Sequence, residues 1–201
     1  MDVEDEDEVD VEVDTIVHVG PASAQPGILD LARSAGVRRV ILVSAGRFPE
    51  RRDVEGDGGW GDGTVVVHLR VGTPYGPGIT SYSPVSRFVL QALTREPMTM
   101  SRPYQDALSL VHVWDIGVEL DRLLRDQQTE STSSWLVGEW LTPRQIADAV
   151  AQIVHPVPID VPPCPKDAPA KPLPDGACSA RIGLRVGLRT VGYWLAYEEA
   201  T

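Results

Sequence analysis

Between Thr15 and Val43 the chain carries a β-branched run, a helix pattern and a second β-branched run, all within about 30 residues, and no other feature narrows its fold as much. Thr15-Ile-Val-His-Val19 reads as a short buried strand stopped by Gly20-Pro21. Ile28, Leu31, Ala32 and Ala35 then recur at helical spacing, and Gly36 is placed to close that helix in the left-handed conformation glycine adopts freely. Val37 to Val43 is the second strand. A strand, a crossover helix and another strand pair in parallel, so a helix-covered parallel sheet is expected.

The rest of the chain continues the pattern. Arg47 to Gly63 contains Asp57-Gly-Gly-Trp-Gly-Asp-Gly63 and reads as a loop. Thr64 to Leu69 is a strand, and Gly72 to Gly78 is a turn-rich loop. Ser83-Pro84 starts a helix striped by Val85, Phe88, Val89, Ala92 and Leu93, with Ser83 as its N-cap. Leu108 to Val113 is a strand, and Asp115 is positioned to cap the helix after it. Ser134 to Val137 is a short strand. Thr142-Pro-Arg-Gln145 forms a capping box ahead of a helix striped by Ile146, Ala149, Val150 and Ile153. Residues 155–176 hold eight prolines and read as an extended surface segment. A last helix is expected from Val186 to Glu198.

The net charge of −11 is concentrated at one end. Nine of the 29 acidic residues lie between Asp2 and Asp14, leaving 20 against the 18 basic ones. The body therefore has no general basic surface, which argues against nucleic acid as a partner. The apolar runs are too short to cross a bilayer, and no signal segment opens the chain. Two cysteines, Cys164 and Cys178, make no disulfide framework; the default reading is two free thiols in a cytoplasmic protein.

Six segments in order carry a resemblance: Asp14-Thr-Ile-Val-His-Val-Gly20, Gly27 to Ser44, Leu69-Arg70 with Tyr75-Gly-Pro-Gly78, Val111-His-Val-Trp-Asp115, Trp135-Leu-Val-Gly138, and Ser179 to Trp194. In this order they resemble the extended short-chain dehydrogenase/reductase family, the NAD-dependent nucleotide-sugar epimerases and dehydratases. The resemblance covers most of Asp14 to Glu198 and implies an α/β fold. The expected form is a partial doubly wound (Rossmann-like) parallel sheet missing its first strands, with a small α/β substrate-side cap. It divides the chain into an acidic segment (1–13), a residual Rossmann-like part (14–78) and a mixed substrate-side region (79–201) that includes the Pro-rich stretch 155–176.

The same resemblance implies NAD or NADP as cofactor and a nucleotide-sugar-like small molecule as ligand. It places Ser44 at the family's catalytic serine and Gly20, Pro21 and Ser23 in the loop that touches the cofactor. Thr73, Tyr75 and Arg102 fall on the substrate side, and Arg181 is a further candidate for a substrate phosphate. Departures from the family are as informative. No Gly-x-x-Gly-x-x-Gly turn is present, although its backbone amides and helix end would hold the cofactor diphosphate. The Tyr-x-x-x-Lys motif belongs between Ser44 and Thr64, and that stretch has neither Tyr nor Lys. The Pro after Leu-Arg is Val71, and the Arg before Val-His-Val falls at Leu108. Tyr75 has no nearby Lys to lower its pKa, so packing is the better reading than acid/base work.

His18, His68 and His112 each sit mid-strand among apolar residues; without ligand spacing or a paired carboxylate they read as core histidines, and no metal is expected. Two functions from different classes remain. One is an NAD-dependent epimerase, dehydratase or reductase, seen truncated or rebuilt. The other is a pseudoenzyme: a non-catalytic interaction or regulatory remnant, or an incomplete gene product. A cofactor-free lyase or cyclase is a weaker third. The strand Thr15 to Val19 would be interior in the family sheet, yet its usual neighbours are not encoded. It is β-prone with no Lys or Pro, so either it pairs with a second chain or the acidic segment Asp2 to Asp14 folds over it or repels neighbours; the expectation is self-association or aggregation that the acidic opening limits.

Overall fold

The computed structural model of the protein describes residues 13–46, 63–79, 83–100, 107–126, 129–162 and 177–198. The acidic opening up to residue 12, most of the loop 47–63, Arg102, Cys164 and most of the Pro-rich segment lie outside them. In chain order the elements are β1 (Thr15–Val19), α1 (Gln25–Ser34), β2 (Arg39–Ala45), β3 (Val65–Val71), β4 (Thr73–Tyr75), α2 (Pro84–Leu93), β5 (Met98–Thr99), β6 (Leu108–His112), α3 (Val113–Arg125), β7 (Thr132–Val137), β8 (Glu139–Leu141), α4 (Pro143–Ile153), β9 (Ile159–Asp160), β10 (Cys178–Ser179) and α5 (Leu184–Glu198).

The main sheet runs β1-β2-β3-β7-β10 with every pair parallel, as the strand–helix–strand opening requires. α1 ends where expected, with Gly36 at φ +66°. Alternate residues of each strand face opposite ways, and among the described residues α1 packs on one face and α3 on the other. Val40, Leu42 and Val66 pack with Ala32, Ile28 and Leu29 on the α1 side. Ile41, Val43, Val67, Leu69 and Leu136 pack with Leu123, Ile116 and Leu120 of α3 on the other.

A second core joins α2, α4 and α5 around Phe88, Met98, Ile146, Leu184 and Leu188, all fully buried or nearly so. Burying each such side chain stabilises the fold by about 1.5–3 kcal/mol. A three-stranded sheet β4-β6-β8 and the pair β5-β9 complete this smaller unit. Part of the stretch read as a loop at Gly72 to Gly78 is thus strand: Thr73, Pro74 and Tyr75 pair with Leu110, Val111 and His112. Three residues of mixed type between turn residues give no periodicity by which sequence could signal a strand.

The helix starts follow their chemistry with one correction. At α4, Thr142 Oγ1 accepts from the Gln145 amide at 3.3 Å and Gln145 Oε1 accepts from the Thr142 amide at 2.8 Å, the expected reciprocal box. At α2, Ser83 occupies the N-cap but its hydroxyl makes no capping bond. At α3 the cap is His112 rather than Asp115: the Trp114 amide donates to His112 Nδ1 at 3.2 Å. The helix begins directly at the strand end, which leaves Asp115 in its first turn, where its carboxylate accepts from the Ile182 amide at 2.9 Å.

β1, which the family resemblance places inside a sheet, is an edge here: among the described residues it pairs with β2 alone.

Candidate functional site

All five strands of the main sheet point the same way, so their carboxyl ends form one rim, where ligands bind in open α/β sheets. The rim is laced by backbone bonds that continue the ladders: Gly20 N to Val43 O at 3.0 Å, Gly46 N to Val71 O at 3.0 Å and Gly72 N to Leu136 O at 3.1 Å. Gly20, Pro21 and Ser23 lie at the end of β1, with Pro21 and Ser23 exposed in the short turn that leads into α1.

Beneath this rim, on the α1 side, sits a buried polar trio. Register places His18, Leu42 and His68 in one row across β1, β2 and β3. Ser44 lies two residues further along β2 on the same face, and its Oγ is 2.9 Å from His68 Nε2. The Gln25 amide, from the first turn of α1, approaches the same nitrogen at 3.3 Å. Ser44, His68 and Gln25 are all buried. Burial, reinforced by the nearby Arg70 guanidinium, pushes the His68 pKa down to about 4. The ring is therefore neutral near pH 7, and Ser44 exchanges its hydrogen bond with an uncharged imidazole. His68 Nδ1 is buried and finds no partner among the described residues.

A second polar group lies around Tyr75, at the end of β4. Tyr75 is fully buried, and its hydroxyl donates to Ile182 O at 3.3 Å. Burial, then the carboxylates of Asp115 and Glu139, raise its pKa above the usual tyrosine value. Its ring meets His112 edge-on at 5.1 Å. His112 Nδ1 accepts the α3 capping bond, so Nε2 carries the proton and faces Thr190 Oγ1 at 2.9 Å; Thr190 in turn donates to Gly187 O at 2.7 Å. Glu139 accepts from the Leu184 amide at 3.0 Å, which fastens the start of α5. This group welds β4, β6, α3 and α5 together, and every polar atom named in it is engaged by protein.

Thr73 is half-buried in β4, paired with Leu110, and Arg181 is exposed just ahead of α5. Among the described residues Ser44 bonds to His68 whereas Tyr75 bonds to Ile182 O and meets His112, so the serine and the tyrosine belong to different clusters. Cys178 is a free thiol whose Sγ lies 3.5 Å from Glu119 Oε1, and burial with that carboxylate pushes its pKa up. No group of three metal-ligating side chains occurs among the described residues.

Gln25 was not legible as a site residue. Its only signal is position, at the first turn of a crossover helix, and surface glutamines commonly sit there too. His68 was legible as a core histidine; that it faces Ser44 follows from register, which sequence does not give.

The architecture is that of a Rossmann-like α/β fold shared with nucleotide-sugar enzymes. No protein-family model matches the chain, and neither does any curated protein sequence. Solved structures do. MoeE5, in complex with UDP-glucuronic acid and NAD, is similar with a TM-score of 0.70 and 18% identity over 92% of this chain and 80% of that one. The Bordetella bronchiseptica enzyme WbmF, in complex with NAD+ and UDP, gives 0.71 and 14% over 93% and 73%. The Thermotoga maritima UDP-glucose 4-epimerase with UDP-glucose gives 0.68 and 15% over 92% and 78%. At these identities the likeness establishes a common fold.

Proposed function

We propose that this chain is an epimerase/dehydratase-like protein that takes a nucleotide-sugar-like ligand and does not perform the usual hydride chemistry by itself. The observation that carries the reading is the state of Tyr75. It is the tyrosine of the family-like Tyr-Gly-Pro-Gly segment, and its hydroxyl is buried, donated to Ile182 O and harder to ionise than usual. A tyrosine that exchanges protons with a sugar hydroxyl needs the opposite: access and a lowered pKa. Ser44, at the family's serine position, bonds to His68 rather than to a tyrosine.

NAD is the cofactor class that the fold neighbours suggest, since MoeE5 and WbmF are both complexes with it. Bound there, it would accept or return a hydride. The described residues at the end of β1 fit its diphosphate poorly: the Gly20 amide is engaged by Val43 O, and Pro21 has no N–H. Pro21 and Ser23 could line the edge of a nucleotide. The alternative, an interaction protein without a small-molecule ligand, is favoured by the outer edge of β1, which no described strand pairs.

Calorimetric titration of the pure chain with UDP, UDP-glucose, NAD and NADP, run beside an epimerase and dehydratase turnover assay, tests the proposal. Binding of a UDP ligand, with neither useful NAD affinity nor turnover, is the expected result. Turnover, or a micromolar NAD dissociation constant, refutes it; no binding of any ligand favours the interaction reading.

A further inference from the structure

The free side of β1 is complementary to itself. In a parallel ladder alternate residues bond to the neighbour and the others point their amides and carbonyls away. Asp14 O accepts from Arg39 N, and Gly20 N donates to Val43 O. With the register Ile16↔Val40 and His18↔Leu42, the even-numbered residues therefore serve β2. Thr15, Val17 and Val19 turn their N–H and C=O groups outward, and no described strand meets them. The same residues place their side chains on the α3 face, where Val17 is 37% and Val19 66% exposed.

We infer that two copies of this chain pair antiparallel through β1, about a two-fold axis at Val17. In that register Val17 faces Val17 of the second copy, and Thr15 faces its Val19. All three are outward-bonding residues, so each opposed pair exchanges both hydrogen bonds, and every outward group from Thr15 to Val19 is satisfied. The two valines at the axis cover each other, and Val19 covers Thr15 of the second copy. The joined sheet is continuous across both copies, and two-fold closure stops growth at a dimer.

Charge selects the antiparallel sense. Nine carboxylates lie between Asp2 and Asp14, immediately ahead of the strand. Parallel pairing would lay the two acidic segments side by side. Antiparallel pairing puts Asp14 opposite Gly20 of the second copy, and the two Asp14 residues about 20 Å apart along the strands. That exceeds the roughly 8 Å screening length at physiological salt. β1 also lacks the Lys, Pro or inward charge that blunts most strand edges.

The test is sedimentation equilibrium of the full chain and of Val17→Pro, together with hydrogen exchange of the wild-type Val17 and Val19 amides at several concentrations. Among the described residues the Val17 N–H serves no bond, so proline there removes an outward donor while sparing the donors that pair β1 with β2. The expected result is twice the chain mass for the wild type, at least tenfold weaker association for Val17→Pro, and amide protection that rises with concentration. Val19→Lys, at an exposed position, serves as the second variant and should weaken association in the same direction. A wild-type monomer at all concentrations overturns the inference. So do concentration-independent protection, which would mean that the chain covers its own edge, growth beyond two copies, and a dimer indifferent to both substitutions.

Discussion

Ser44 and His68 stand on adjacent parallel strands, two residues out of register, and close a 2.9 Å hydrogen bond inside the sheet's α1 face. The serine at the strand end is thereby tied down into the fold. It holds the ring of a histidine that is itself buried. Ser44→Ala is expected to lower stability by about 1–3 kcal/mol, because the buried imidazole loses a partner. Urea unfolding of the variant measures this; a midpoint unchanged from wild type would mean that Gln25 alone satisfies the ring.

Tyr75→Phe separates packing from chemistry. The hydroxyl bond to Ile182 O is long, at 3.3 Å, while the ring itself is fully buried. Phenylalanine keeps the ring and is expected to cost only about 1 kcal/mol. Ligand affinity, and any turnover the chain displays, should be unchanged. Turnover that vanishes in Tyr75→Phe would show that the tyrosine is an acid/base group after all.

Two glycines of α5 should respond to alanine with opposite signs. Alanine is favoured over glycine inside a helix by up to about 1 kcal/mol. Gly192 has open space where a Cβ would be built, so Gly192→Ala should stabilise by that order. A Cβ at Gly187 would run into the Tyr75 hydroxyl and come within 2.8 Å of the His112 ring. Both rings are locked by the cluster around them, so Gly187→Ala should destabilise by about 1–3 kcal/mol. Paired thermal melts decide it, and stabilisation by both substitutions would show that α5 can move away from Tyr75.

The elements most legible in the sequence were those with a local physical signature. Gly36 ended α1, Thr142 and Gln145 boxed α4, and the β-branched runs gave β1, β2 and β3. What stayed hidden depended on partners distant in sequence. β4 exists because residues 73–75 find β6, and the α3 cap is His112 because the helix starts at once where β6 ends. The same limit holds for the candidate site. Ser44 could be nominated by resemblance, but its bond to His68 spans 24 residues and its approach to Gln25 depends on how α1 docks. The inner workings of Tyr75 were half legible: the sequence lacked a lysine beside it, and the carboxylates that raise its pKa, Asp115 and Glu139, come from α3 and β8.

The lowered pKa of His68 makes an acid-side prediction. Its folded value is about 4 against an unfolded value near 6.5. Between those values the unfolded chain binds a proton that the folded chain refuses, so stability rises with pH across the window. The contribution is fully present above about pH 6.5 and is lost as pH falls towards 4; below that it is constant. Carboxylates titrate in the lower part of the same range, so the comparison must be a difference. His68→Gln keeps a hydrogen-bonding group beside Ser44 and cannot titrate. Between pH 7 and pH 4 the wild type is expected to lose on the order of 2 kcal/mol more than this variant, after allowance for partial solvent screening. Urea midpoints at half-unit pH intervals provide the measurement. Parallel curves for the two proteins would mean that His68 accepts its proton in the folded state as readily as in water, and that the buried trio opens as the pH falls.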